Sequence, residues 1–154
     1  MSSETGSTLT RAIYSGSVAG IASALAAAAG AARSGRRPYA VMNAVTHCLW
    51  PDTAPHEQSL SARYTGLGTG IHLGSAVFWG VLFEALCGRR PQPGKVVAAA
   101  VTTTAVAYVV DYHVVPKRLT PGYEAHLSKE GLALTYVALG AGFALAGLLR
   151  SASR

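Results

Sequence analysis

The chain has 154 residues, 50% of them hydrophobic and 13% charged, with a mean hydropathy of +0.29. Such apolar content is high for a water-soluble domain of this size, although an alanine-rich soluble bundle would share it. A net charge of +6 would suit nucleic acid, but no basic stripe or aromatic-interleaved basic patch falls on any predicted helix, which argues against that partner.

What decides between lipid and water is run length, because about 20 consecutive apolar residues are needed to cross roughly 30 Å of hydrocarbon. Four runs qualify: Ala12 to Ala32, Leu67 to Cys87, Val96 to Val115 and Gly131 to Leu149. Basic residues bound each of them: Arg11 and Arg33, Arg63 and Arg89, Lys95 and Lys117, Lys129 and Arg150. Long cationic side chains at such places reach the headgroups. The predicted fold is therefore all-α, a four-transmembrane-helix bundle forming a single membrane domain, with the bilayer as its first partner.

Residues Met1 to Thr10 read as a short polar tail. The first span, AIYSGSVAGIASALAAAAGAA, has Ile13, Val18, Ile21 and Leu25 as its only large aliphatic residues. Its small side chains, with Gly16 and Gly20 at GxxxG spacing, let another helix approach closely and place it inside the bundle. A cleaved secretory leader is the competing reading of this segment.

The longest connection, Arg33 to Tyr64, contains PYAVMNAVTHCLWP, too short to span and bounded by Pro38 and Pro51. It reads as a short interfacial helix, with Trp50 and Tyr39 at headgroup depth; a buried helix capping the bundle fits equally. The second span carries a further GxxxG pair, Gly70 and Gly74, a surface for a homo-oligomer together with Gly16 and Gly20. Gly88 to Gly94 then forms a tight basic turn, so spans two and three make an antiparallel hairpin. Cys48 and Cys87 fall at opposite ends of the bundle and are expected as free thiols.

With four crossings, the first and third connections share one side of the membrane. His47, His56, His72, His113 and His126 all gather there, joined by Asp52, Glu57, Asp111 and Glu124. Thr104, Tyr108 and Asp111 follow i, i+4, i+7 spacing on span three, a polar stripe on one helical face. An ionised Asp111 facing lipid would cost several kcal/mol, so it should turn inward to a partner, His72 first, with Arg63, Tyr64 or water as alternatives.

Glu84 lies 12 residues after His72 and points about 120° away from it, so the two belong to different sites. Its expected partners are Arg89 or Arg90, with a proton relay as the other reading. The sequence thus places ligand or proton chemistry on His72, Tyr108, Asp111, His113 and Glu84, and a transition metal or haem on His47, His72 and His113. No H-x-x-x-H, H-E-x-x-H, C-x-x-C or G-x-S-x-G spacing occurs, so neither a standard metal box nor a serine nucleophile elbow is present.

His72, Phe78, Gly80 and Phe83 in GIHLGSAVFWGVLFEAL resemble a segment of the YagU-like bacterial inner-membrane proteins, over this one helix. The resemblance implies a small inner-membrane protein of poorly defined activity and transfers no catalytic residue. The functional expectation is a multi-span membrane protein binding a ligand, metal or partner in a polar pocket that holds His72, Asp111 and His113. The alternatives are a haem- or metal-dependent redox protein or enzyme, and a proton-coupled transporter using Asp111 and Glu84. Basic residues divide six against seven between the two sides, but those beside the termini lie in shorter segments, which places both termini in the cytoplasm.

Overall fold

The structure is a computed structural model that describes residues 2–152, with side chains from residue 8 onward; Arg154, counted above for orientation, lies outside the described residues. Five helices follow one another: α1 (Ser2–Arg33), α2 (Ala40–Val45), α3 (Leu67–Cys87), α4 (Pro93–Val109) and α5 (Lys129–Ala152). No strand occurs among the described residues. A π-helical turn, Ala62–Gly66, leads into α3, and another, Val110–Val114, ends α4.

Four of these segments are long and apolar enough to cross a membrane: Thr8–Arg33, Ala62–Cys87, Pro93–Val114 and Lys129–Ala152. The shortest has 22 residues, about 33 Å at 1.5 Å per residue, which matches the hydrocarbon thickness. Within the second span, α3 has the bounds expected from its run of apolar residues, and the π-helical turn extends the span back to Ala62. The first extends through part of the expected tail, where the Arg11 guanidinium donates to the Thr8 hydroxyl at 3.0 Å.

α1 packs against α3 and α5, and α4 closes the bundle against α5 and α3. Small residues set these contacts. A Cβ on Gly16 would stand 2.8 Å from the Ala76 carbonyl oxygen, one on Gly80 2.7 Å from that of Ala12, and one on Gly142 3.1 Å from that of Val18. Backbone therefore lies against backbone on both sides of α1, while Ile13, Ile21 and Leu25 face outward. The GxxxG pairs consequently differ: Gly16 and Gly20 are used within the chain, whereas Gly70 and Gly74 have open space where a side chain would be. Phe83 and Phe143, stacked at 5.0 Å, fill the middle of the bundle with Trp79, Tyr136 and Leu139.

The short α2 is the buried cap rather than an interfacial helix, because all six of its residues are buried. Val41, Met42 and Val45 join Ala27, Ala31, Tyr123 and Leu127 in a second apolar cluster. Asn43 makes this burial tolerable. Its amide donates to the carbonyl oxygens of Glu57 and Ser59, both at 3.0 Å, and its oxygen accepts from the Thr65 hydroxyl at 2.6 Å. Trp50 instead stacks edge-on with Tyr64 beneath the Arg63 guanidinium.

Candidate functional site

Between α1, α3, α4 and α5, under the first and third connections, lies a cavity of about 270 Å³. His72, Ser75 and Trp79 project into it from α3, one helical turn apart, and Thr135, Tyr136 and Leu139 from α5. Asp111 enters from the π-helical turn at the end of α4. Val45 and Cys48 of the first connection and Leu119, Thr120 and Tyr123 of the third form the roof.

Two hydrogen-bonded pairs occupy the walls. His72 Nε2 lies 2.8 Å from the Gly20 carbonyl oxygen, which can only accept, so in the neutral ring Nε2 carries the proton. Nδ1 is then the lone-pair nitrogen, and the Tyr123 hydroxyl donates to it in a short hydrogen bond. Burial, with the nearby Asp111 charge adding, pushes the Tyr123 phenol above its ordinary range and keeps that proton in place. In the second pair the Tyr136 hydroxyl donates to Asp111 Oδ2 at 2.7 Å, and Trp79 lines the same cavity as that carboxyl group.

Of the residues singled out from sequence, His72 and Asp111 thus reach one cavity, but they do not pair with each other. Each has a tyrosine instead. The polar stripe also divides: Thr104 and Tyr108 line an apolar groove of about 970 Å³ between α4 and α5, while Asp111 lines the cavity. The turn beginning at Val110 takes more residues per revolution than an α-helix, so the periodicity read along α4 stops governing direction there. Tyr136 stands between the two spaces and lines both. His113 is exposed, its ring 5.7 Å from that of Tyr108, and is not part of the cavity wall.

The three residues expected to hold a metal are engaged separately. His47 sets Nδ1 2.9 Å from the Ala44 carbonyl oxygen and Nε2 3.1 Å from that of Lys117, bonds that tie the first connection to the third. His72 is committed to Gly20 and Tyr123. Among the described residues, no three His, Cys, Asp or Glu side chains come together as a metal-holding group. Both cysteines are free, and Cys48 lines the cavity roof.

Glu84 sits at the far end of the bundle and is not paired with Arg89 or Arg90. Gly88, at φ +76°, ends α3 and turns the chain away before those residues. The carboxylate points inward instead, with its side chain fully buried. Arg150 Nη1 donates to its two oxygens at 2.7 and 2.6 Å, and Arg11 Nε to one of them at 3.1 Å. One carboxylate therefore joins α1, α3 and α5.

Trp79, Ser75, Tyr123 and Tyr136 escaped the sequence reading as site residues. The available signal was Tyr136, a hydroxyl in the middle of an apolar run, which must find a partner once buried. The architecture defines an all-α bundle with four helices compatible with membrane crossing, enclosing a cavity lined by His72 and Asp111. Beyond that class the chain stands by itself: no protein-family profile, characterised protein or solved structure matches it.

Proposed function

We propose that the chain is a small membrane-embedded binding protein whose ligand occupies the cavity between His72 and Asp111. The observation that carries this reading is the convergence of two tyrosine-anchored polar pairs, His72–Tyr123 and Asp111–Tyr136, on one space whose remaining wall is mostly apolar, with the hydroxyls of Ser23, Ser75, Thr120 and Thr135. Concave, mainly apolar sites with a few fixed polar groups are the usual form of small-molecule sites. Four long apolar helices support a bilayer as its surroundings. The likeness of Gly70–Leu86 to the YagU-like proteins supports a bacterial inner membrane.

The polar groups of the cavity are held by hydrogen bonds between separate elements, His72 to Tyr123 and Asp111 to Tyr136. Preorganisation of this kind reduces the cost of ordering side chains on binding. Ser75→Phe should fill the space without touching either polar pair. Native mass spectrometry of detergent-purified protein should then show a small molecule on the wild type that is absent from Ser75→Phe. Equal small-molecule content in the two proteins would refute the proposal.

A further inference from the structure

The hydrogen-bonding capacity left over in the cavity identifies the chemistry it would accept. Most hydroxyl protons on the wall are already committed. Tyr123 donates to His72 and Tyr136 to Asp111; Thr135 donates to the Gly131 carbonyl oxygen at 2.9 Å, and Thr120 to that of Lys117 at 2.9 Å. Ser23 likewise donates to backbone oxygens of its own helix, at 3.0 and 3.1 Å. Ser75 alone among the lining hydroxyls makes no hydrogen bond among the described residues.

Acceptors remain. A carboxylate offers about four lone-pair positions, and Asp111 uses one of them, on Tyr136. The phenol oxygens of Tyr123 and Tyr136 keep lone pairs after donating their protons. The lining contains one carboxylate and no lysine or arginine, and its imidazole has both nitrogens engaged. Three aromatic side chains, Trp79, Tyr123 and Tyr136, complete the wall.

A space rich in acceptors, holding one anionic group and bounded by aromatic side chains, is complementary to a donor that carries positive charge. We infer that the cavity takes a small organic ammonium ion, with Asp111 as its counter-ion and Trp79, Tyr123 and Tyr136 as its aromatic walls. A neutral hydrogen-bond acceptor would find at most the Ser75 hydroxyl and the Trp79 indole N–H there, and an anion would oppose Asp111. Aromatic faces attract cations most strongly where water is excluded. This inference rests on the cavity being a binding site and adds the charge of what it binds.

The test uses full-length protein in detergent with Trp50→Phe, which leaves Trp79 as the only tryptophan of the two in the chain and so makes emission report on the cavity. Choline is titrated against its uncharged tert-butyl analogue, and isobutylammonium against isobutanol. The cations should bind at least about tenfold tighter than their neutral counterparts. Asp111→Asn should erase that preference, and Ser75→Phe should block all binding. Neutral analogues that bind as well as the cations, and are blocked by Ser75→Phe, would overturn the ammonium assignment and leave the cavity as a binding site. Cation binding that survives Ser75→Phe would overturn both. Failure of both cations to bind overturns the ammonium assignment, and the molecule retained by the wild type then decides the cavity's role by itself.

Discussion

Glu84 shows how one side chain can carry a disproportionate share of the helix packing. Its carboxylate is fully buried, while Arg11 and Arg150 keep 18% and 14% of their side chains exposed. Losing the arginines therefore strands a buried charge, whereas Glu84→Gln removes that charge and leaves two cations that can turn to the headgroups. Stranding one member of a buried pair costs about 3–5 kcal/mol. Arg11→Ala combined with Arg150→Ala should lower the unfolding temperature in detergent more than Glu84→Gln does, and adding Glu84→Gln to that double variant should recover part of the loss. Arg150→Ala should cost more than Arg11→Ala, since it makes the two shorter contacts. The opposite residue-scale case is His126, buried with neither ring nitrogen hydrogen-bonded among the described residues. Desolvation, then the Arg36 charge and His56, hold its imidazole below the usual value. The unfolded chain consequently takes up a proton near pH 6.5 that the folded protein refuses. Stability should be full above that pH and fall as acid is added, by at most about 1.4 kcal/mol per pH unit from this residue, until the folded-state pKa is reached. His126→Phe loses no hydrogen bond, so it should be neutral or stabilising at pH 7 and should flatten the acid limb. Unfolding midpoints measured from pH 5 to 8 check both points, and an unchanged acid limb would remove His126 as its source.

At the scale of helices, glycines with the same spacing have opposite consequences. Gly16 holds α1 against the backbone of α3, so Gly16→Ala must push the two helices apart, while Gly74→Ala adds a methyl group to open space and improves helix propensity by up to about 1 kcal/mol. Thermal unfolding in detergent should show a clear loss for the first and no loss for the second. Equal effects would mean that α1 does not pack on α3 by its small face. The four spans were legible because each is a long unbroken apolar run, and the interior position of α1 because its side chains are mostly alanine and glycine. The fate of α2 was not legible. Six residues are too few for a periodic pattern, and what buries them is Asn43, whose partners at Glu57, Ser59 and Thr65 lie in the following irregular segment. For the cavity, sequence placed His72 and Asp111 on the same side of the bundle, but their partners Tyr123 and Tyr136 come from a different connection and a different span. Side-chain pairs between elements depend on how the helices are rotated, which spacing within one helix does not report. The π-helical turn at Val110 removed even that local guide for Asp111.

For the whole molecule, the two ends of the bundle carry different kinds of charge, and this difference predicts an orientation. Beside the termini, Arg11 and Arg150 are committed to Glu84, and the short connection between α3 and α4 carries Arg89 and Arg90, with Lys95 in the first turn of α4 and no acid. At the other end, Arg33, Arg36, Arg37, Arg63, Lys117 and Arg118 are spread over two long connections that also hold Asp52, Glu57 and Glu124. Cations in short loops next to span ends weigh most in retaining a segment in the cytoplasm, and acidic residues contribute little. The basic hairpin loop and both termini should accordingly face the cytoplasm, with the cavity roof on the outer side. Cys48 provides the readout, because it is partly exposed in that roof, whereas Cys87 is 1% exposed at the opposite end. A membrane-impermeant maleimide applied to right-side-out membrane vesicles should label Cys48 and spare Cys87, and inverted vesicles should protect Cys48. Labelling in inverted vesicles alone would reverse the orientation. In that case the cavity would lie nearer the cytoplasmic than the external face, while its internal hydrogen bonds and its proposed preference for positive charge would stay as described.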